Sequence, residues 1–331
     1  MRWGVAVLFM MGYAQGVGHG ASIRMPTQSI DLKPINMSTE ELRVEGSDRN
    51  LAKGQELAMA GEYEKALSFL ERSRQSNPNN AVVWYWIAYC QEKTGKLDAA
   101  IQSYETALQK NPKLSIAWWG KGNALLTQKS YAAASHAFQR YIALNPKEAS
   151  GYYYAGAAEW MKGAIDSAIA FWERAIQLGF ADSARLWAWI GEAYMAKLEY
   201  DSAEKAYQRA AQAPTPPPEA WYGLGKLHLA KGNLEQALTH LTRAESLLPE
   251  DPGPPYYRGM THLAQKDTAA ARAAFEEALR RSPDHARSLY EMGRLALATE
   301  GIDEAQKYYE KLKTVNTRLA QQLLREIIDK K

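Results

Sequence analysis

The chain has 331 residues, enough for a large core, and its 40 Lys and Arg against 37 Asp and Glu give a formal net charge of +3. A balance so close to neutral, with both signs dispersed, does not indicate binding to nucleic acid or to an anionic membrane. The single cysteine, Cys90, lies in an apolar run and excludes an intrachain disulfide and a cysteine-based zinc site.

The first 21 residues have the layout of a secretory signal peptide. Arg2 precedes an apolar run of about a dozen residues, and small residues follow. The run is too short for a comfortable membrane span, so we predict cleavage after Ala14 or Ala21 and no transmembrane span in the processed chain. An uncleaved anchor and a cytosolic N-terminus are the alternatives. Residues 22–46 are polar and lack strong periodicity, which predicts a flexible linker.

From residue 47 onward, small residues recur at a fixed interval. A Gly or Ala returns every 34 residues, with one interval of 35, and an Ala follows each of them twelve residues later. Where two antiparallel helices cross, such small residues let the backbones approach, and a larger side chain would overpack the contact. The first set is Gly54, Ala88, Gly122, Gly156, Gly191, Gly225, Gly259 and Gly293, and the second is Ala66, Ala100, Ala134, Ala168, Ala203, Ala237, Ala271 and Ala305.

Each unit of this repeat has the pattern of two helices joined by a tight turn. In the sixth unit we predict helices over 219–231 and 234–247, because the Gly and Asn between them tolerate the backbone angles of a tight connection. Bulky residues stand four positions before most of the first small residues and four positions after the second ones, which places large and small side chains on one helical face. A proline that stops the second helix closes five units. These prolines are Pro78, Pro112, Pro146, Pro249 and Pro283.

The order of Trp, Gly, Ala, an aromatic residue and Pro within a 34-residue helix-turn-helix unit resembles the tetratricopeptide repeat. The resemblance covers eight units between residues 47 and 317, and it implies an all-α fold, a right-handed α-solenoid whose stacked units bury one another's apolar faces. Residues 318–331 follow without a linker, and their apolar stripe predicts a C-terminal capping helix. The stripe consists of Leu319, Leu323, Leu324, Ile327 and Ile328.

The sequence offers little for catalysis. The Gly pairs at 120–122 and 223–225 lie inside predicted helices, whereas a phosphate-binding Gly loop must follow a strand and open a helix. His228 and His262 occupy equivalent places in adjacent units and could approach each other, but they lack a clear carboxylate or thiolate partner. We therefore predict no catalytic residues, no metal and no cofactor, and a protein that is not an enzyme.

The resemblance also implies a binding surface. In similar proteins the first helices line the concave face, and the residue after the Trp position points into it, together with residues one and two turns further along. We predict that this groove, rich in aromatic side chains, binds a protein or peptide partner. A clamp for a C-terminal carboxylate is not expected, because Asn123 alone matches its Lys and Asn pattern. The candidate partner contacts are Tyr85, Tyr89, Trp119, Asn123, Tyr153, Trp160, Tyr222, Lys226, Tyr256, Tyr290 and Arg294.

Repeat and signal together predict a periplasmic or secreted scaffold or adaptor in envelope assembly or secretion. The first alternative is a carbohydrate-handling component of polysaccharide export, in which stacked Tyr and Trp rings follow a glycan. The second alternative is a cytosolic co-chaperone or adaptor, the expected outcome if the N-terminal signal is not functional. No nucleic-acid partner is predicted.

Overall fold

The computed structural model describes residues 48–330, and every regular element in that range is an α-helix. The predicted signal peptide and linker, residues 1–46, lie outside the described residues, as does Lys331. Contacts between residues divide the described chain into two compact units, 48–183 and 184–330. Consecutive helices are paired, so the predicted all-α fold of helix-turn-helix repeats is confirmed.

The first unit consists of four helix pairs. The two helices of a pair pack against each other, and the second helix also packs on the first helix of the next pair. The helices are α1 Arg49–Met59, α2 Tyr63–Ser76, α3 Ala81–Lys93, α4 Leu97–Lys110, α5 Ser115–Thr127, α6 Tyr131–Leu144, α7 Ala149–Lys162 and α8 Ile165–Gln177.

The second unit consists of four further pairs and one additional helix, and α9 begins at the boundary residue between the units. The predicted helices of the sixth repeat, 219–231 and 234–247, differ from the observed α11 and α12 by one residue at a single end. The helices are α9 Ser183–Ala196, α10 Tyr200–Ala211, α11 Pro218–Lys231, α12 Leu234–Leu247, α13 Gly253–Ala264, α14 Thr268–Arg281, α15 Ala286–Thr299, α16 Ile302–Val315 and α17 Thr317–Asp329.

Local side-chain chemistry explains where several helices begin and end. The Asp48 carboxylate accepts the backbone N–H groups of Asn50 and Leu51 at the start of α1, and the Asn80 side chain accepts that of Val82 at the start of α3. At the end of α11, Gly232 adopts a left-handed conformation with φ of 78°. This left-handed residue lies in the turn that the sequence predicts between α11 and α12.

The small residues of the first set lie where the helices of a pair cross. At six of the glycines an added Cβ would come within 2.5–2.7 Å of the side chain sixteen residues later, on the second helix of the same pair. Because real Cβ atoms do not come this close, the backbones could not keep this spacing with any larger residue. These six are Gly54, Gly122, Gly156, Gly191, Gly225 and Gly259. All eight alanines of the second set are fully buried.

In three pairs the aromatic residue four positions before the small residue joins the pair to the loop that precedes it. The indole N–H groups of Trp84 and Trp118 donate to the carbonyl oxygens of Pro78 and Pro112, each at 2.9 Å. The Tyr152 hydroxyl donates in the same way to the carbonyl of the proline six residues earlier, at 3.1 Å. In these pairs the recurring aromatic residue therefore forms a hydrogen bond with the closing proline of the preceding repeat.

The last helix, α17, packs on α15 and α16. At Gly293 the residue that an added Cβ would strike first is Leu323 of α17 rather than a side chain of α16. Ala320, Leu323 and Ile327 are buried, but Ile328, which the sequence places on the same stripe, is 58% exposed. The helix thus buries a narrower stripe than the sequence predicts, because consecutive residues such as 327 and 328 point about 100° apart.

Candidate binding surface

The first helices of neighbouring pairs lie next to each other within each unit. In the first unit α1 contacts α3 and α3 contacts α5, and in the second unit α11 contacts α13. We call the surface formed by the first helices of one unit its first-helix face. The predicted partner contacts all lie on first helices, six of them in the first unit and five in the second.

In the first unit, four of the six predicted contacts are partly exposed. Tyr89, Trp119, Tyr153 and Trp160 are half-buried on α3, α5 and α7. Tyr85 and Asn123 are buried, with 7% and 5% of their surface exposed. A partner on this face would therefore meet the four half-buried rings, whereas Tyr85 and Asn123 are buried.

Two of these rings belong to a continuous aromatic cluster. The Trp119 ring lies edge-on to Tyr154 with centroids 4.7 Å apart, and Tyr154 lies edge-on to Tyr153 at the same distance. Tyr153 in turn stacks on Phe180 at 4.6 Å with an angle of 14° between the rings. The sequence predicted neither Tyr154 nor Phe180, although Phe180 stands where other repeats have their closing proline. We call these four residues the aromatic cluster.

A second group of rings surrounds Tyr89 near the start of the first unit. Its ring lies edge-on to Tyr63 at 6.2 Å and to Trp86 at 5.5 Å, and the Lys93 ammonium lies 5.5 Å from its centroid. Burial, with weaker effects from neighbouring acidic groups, raises the pKa of Tyr89 to about 12. Its hydroxyl is therefore neutral at physiological pH and serves as a hydrogen-bonding group.

In the second unit, four of the five predicted contacts are buried. Tyr222, Tyr256 and Tyr290 retain 3–8% of their exposure, and Lys226 retains 1%. The Lys226 ammonium donates to both carboxylate oxygens of Glu192, at 2.9 and 2.8 Å, and the Tyr207 hydroxyl donates to the same carboxylate at 2.8 Å. The charge of Lys226 is therefore paired with a carboxylate of the same unit. The sequence carried a signal for this, because Glu192 stands one repeat before Lys226 at the same position.

Arg294 and Tyr290 contact the chain's own C-terminal helix. The Tyr290 hydroxyl donates to one carboxylate oxygen of Glu326 on α17, and Arg294 Nε lies 3.1 Å from the other. Arg294 also pairs with Glu291 at 3.1 Å, and burial raises the pKa of the Glu291 carboxyl. At the end of the second unit, α17 therefore occupies the place that the sequence assigned to a partner.

The histidines do not form a metal site in the described range. The His228 ring stacks on His240 with centroids 5.2 Å apart, and His262 Nδ1 lies 3.1 Å from the side-chain oxygen of Gln265. Between residues 48 and 330, no three His, Cys, Asp or Glu side chains are grouped so that they could hold a metal ion. Over the same residues, no helix combines the length and the apolar composition needed to cross a membrane.

Paired helices that cross at small residues define a protein of the helical-repeat class. Models of the tetratricopeptide repeat match residues 93–134, 120–184 and 190–253, and a second set of matches covers 57–102 and 262–328. The chain belongs to the tetratricopeptide repeat family, whose members are protein–protein interaction scaffolds and are typically non-catalytic. No curated protein matches the chain.

Solved structures share this fold at low sequence identity. A tetratricopeptide repeat protein from Parabacteroides merdae is 17% identical with a TM-score of 0.63, over 75% of this chain and 99% of that one. The C-terminal part of a repeat protein from Cytophaga hutchinsonii is 17% identical with a TM-score of 0.59, over 70% and 95% of the two chains. A chain of the APC/C hetero-tetramer Cut9–Hcn1 is 16% identical with a TM-score of 0.57; the match covers 88% of this chain and 57% of that one.

Proposed function

We propose that this protein is a non-catalytic adaptor that binds a protein or peptide partner on the first-helix face of its first unit. The observation that carries the proposal is the aromatic cluster, in which Trp119 and Tyr153 are half-buried on adjacent first helices and are held by rings around them. Rigid aromatic side chains give a partner a large contact area at a low cost in conformational entropy. The family membership supports a protein as the partner.

Two adjacent tyrosines of α7 allow a matched test. Tyr153 belongs to the aromatic cluster, whereas the hydroxyl of half-buried Tyr152 bonds to a loop carbonyl and its ring faces Arg174 at 6.0 Å. A photo-crosslinking amino acid is placed at position 153 or at position 152 in the native host. We expect a partner to be captured from position 153 and not from position 152.

The captured partner is then purified and its affinity is measured. We expect Tyr153→Ala to weaken binding by roughly tenfold or more, as truncation of an interface hot spot does, and Tyr152→Ala to leave it nearly unchanged. Equal effects of the two substitutions, with both proteins folded, would show that this face is not the interface.

We also propose that the adaptor is exported and acts in envelope assembly or secretion. The support is the signal-peptide layout of the first 21 residues. Fractionation of the host followed by N-terminal sequencing should find a mature chain that begins at Gln15 or Ser22 outside the cytoplasm. A full-length chain in the cytosol would instead support the cytosolic adaptor.

A glycan is the second candidate ligand, because half-buried Trp and Tyr rings also stack on sugars. Titration with oligosaccharides should then change the tryptophan fluorescence of the wild-type protein and not that of Tyr153→Ala. An unchanged signal with every oligosaccharide, beside a captured protein, supports the protein adaptor.

A further inference from the structure

In the second unit a tyrosine, a glutamate and a lysine form one hydrogen-bonded group. The Tyr207 hydroxyl and the Lys226 ammonium both donate to the Glu192 carboxylate. The Tyr207 ring lies against Gly223 of α11, and Lys226 stands three residues after that glycine, on the same face of the helix. The lysine that compensates the carboxylate therefore comes from the helix that the tyrosine ring contacts.

The first unit has a similar group without the lysine. The hydroxyl of buried Tyr104 donates to the Glu92 carboxylate at 2.8 Å, and the Tyr104 ring lies against Gly120 of α5. Three residues after that glycine, where the second unit has its lysine, stands Asn123. Glu92 stands one turn further along its first helix than Glu192 does, and it still receives the hydroxyl of the tyrosine in its own pair. We call Glu92, Tyr104 and Asn123 the Glu92 site.

No cation of the described chain pairs with Glu92. Across residues 48–330 the Tyr104 hydroxyl is the one hydrogen-bond donor to its carboxylate, and no ammonium or guanidinium lies within ion-pair distance. The next residue, Lys93, is exposed, and its ammonium lies 5.5 Å from the centre of the Tyr89 ring and favours the charge of Glu92 from a longer distance. Burial nevertheless raises the pKa of the Glu92 carboxyl, so it outweighs the groups that stabilise this charge.

Asn123 adds an acceptor to which no group of the described chain donates. Its side chain is buried, and its Oδ1 atom has no hydrogen-bond partner within the described residues. A buried polar atom without a partner costs stability, and an ammonium carries three donors and no acceptor. Because α3 and α5 are in contact, one ammonium that enters from the first-helix face can donate to the oxygen atoms of both Glu92 and Asn123.

The position of Glu92 makes it accessible to a partner. Glu92 is half-buried and stands one turn after half-buried Tyr89, so both side chains lie on the same side of α3. The aliphatic stem of a lysine can pack on the Tyr89 ring while its ammonium reaches the carboxylate. An ammonium is favoured over a guanidinium because an ammonium compensates the corresponding carboxylate of the second unit.

We propose that Glu92 and Asn123 bind the ammonium of a lysine side chain of the partner. The inference rests on the proposed function, and it specifies the partner's chemistry on the same first-helix face of the first unit.

Peptide selection tests the site without a known partner. Random twelve-residue peptides, displayed with both termini fused, are selected on the full chain, and the binders that Tyr153→Ala weakens are retained because they depend on the first-helix face. They are synthesised with blocked termini, each also in a version with acetyl-lysine for lysine, which removes the charge. Affinities are measured for the wild type, Glu92→Gln and Asn123→Ala. The matched control is Glu105→Gln, which changes a glutamate of α4 that already pairs with Lys121 at 2.8 Å.

We expect the retained peptides to share a lysine and to bind the wild-type protein roughly tenfold or more tightly than their acetylated versions, which is typical of hydrogen bonds to charged groups. Glu92→Gln should remove that difference, Asn123→Ala should reduce it, and Glu105→Gln should preserve it. If Glu92→Gln fails to fold by circular dichroism, Asn123→Lys takes its place; it supplies the ammonium from the chain itself, as Lys226 does in the second unit, and it should also remove the difference.

Three results would overturn the inference. The retained peptides could lack a lysine or carry an arginine in its place, the lysine and acetyl-lysine versions could bind the wild type equally, or the difference could be unaffected by Glu92→Gln or by Asn123→Ala. In these cases peptides that depend on Tyr153 still bind, so the proposed function stands. If no selected peptide depends on Tyr153, the proposed function fails and the inference fails with it.

Discussion

At the scale of single residues, the fold depends on glycines that make room for one large ring. Tyr207 of α10 packs against Gly191 of α9, in its own pair, and against Gly223 of α11, in the next pair. Tyr104 of the first unit likewise lies against Gly120 of the following pair. The Gly-x-Gly segments that superficially resemble a phosphate loop are therefore contacts on two sides of α5 and α11. One glycine faces the preceding pair, and the other faces its own second helix.

Replacing Gly223 with Ala should destabilise the protein. The new Cβ would overlap the Tyr207 ring, and overpacking of this kind costs about 1–3 kcal/mol, partly offset by the roughly 1 kcal/mol that Ala gains over Gly within a helix. We expect a net loss of up to about 2 kcal/mol in the free energy of unfolding, measured by denaturant titration.

The partner of this contact provides the control. In a Tyr207→Leu background, which leaves a smaller side chain opposite residue 223, Gly223→Ala should cost less or become stabilising. If Gly223→Ala stabilises the wild-type protein, helix propensity outweighs the contact and the packing argument is wrong.

At the scale of elements, α17 acts as the last layer of the second unit. Leu323 fills the space above Gly293 that a second helix fills in the other pairs, and Glu326 satisfies the Tyr290 hydroxyl and the Arg294 guanidinium. The layer covers apolar side chains of α15 and α16, as a capping helix of a repeat array does.

Leu323→Ala should therefore be strongly destabilising. The side chain is fully buried, and truncating a buried Leu to Ala costs about 2–5 kcal/mol. Ile328→Ala on the same helix is the matched control, since Ile328 is largely exposed and its loss should change stability by less than about 0.5 kcal/mol. Thermal and denaturant unfolding of both variants measure the difference, and equal losses would show that α17 does not cap the unit through Leu323.

At the scale of the whole molecule, three buried or partly buried histidines make stability depend on pH. Burial lowers the pKa of His228, of His240, whose ring stacks on His228, and of His285, the last to about 4. In each case the folded state binds the proton less readily than the unfolded chain, whose histidines titrate near 6.5. The stability they contribute is therefore complete above pH 6.5 and is lost as the pH falls toward the folded-state pKa.

We expect the free energy of unfolding to fall steadily from about pH 7 to about pH 5. His240→Phe should flatten this slope, because the ring can still stack between Trp221 and His228 but no longer titrates. Denaturant titrations at intervals of half a pH unit measure both slopes. A slope that His240→Phe leaves unchanged would show that His240 does not contribute to the loss.

The repeat in the sequence is sufficient to determine the helix pairs and their crossing points. The steric requirement at a crossing is local and recurs in each unit. Residue type and spacing therefore place Gly225 at its crossing and predict the ends of α11 and α12 to within one residue. The apolar stripe of residues 318–331 likewise predicts α17, because the apolar face of a helix in a repeat array must be covered.

The tertiary structure alone decided which side chains of the first helices are exposed. A position in the repeat specifies a direction, but exposure depends on what neighbouring repeats place there. The position of Lys226 in the repeat assigns it to the predicted groove, yet it is buried and paired with Glu192, while Arg294 is paired with Glu326. Helix pairing follows from short-range sterics and can be deduced from spacing, whereas charge compensation depends on side chains about one repeat away in sequence and requires coordinates.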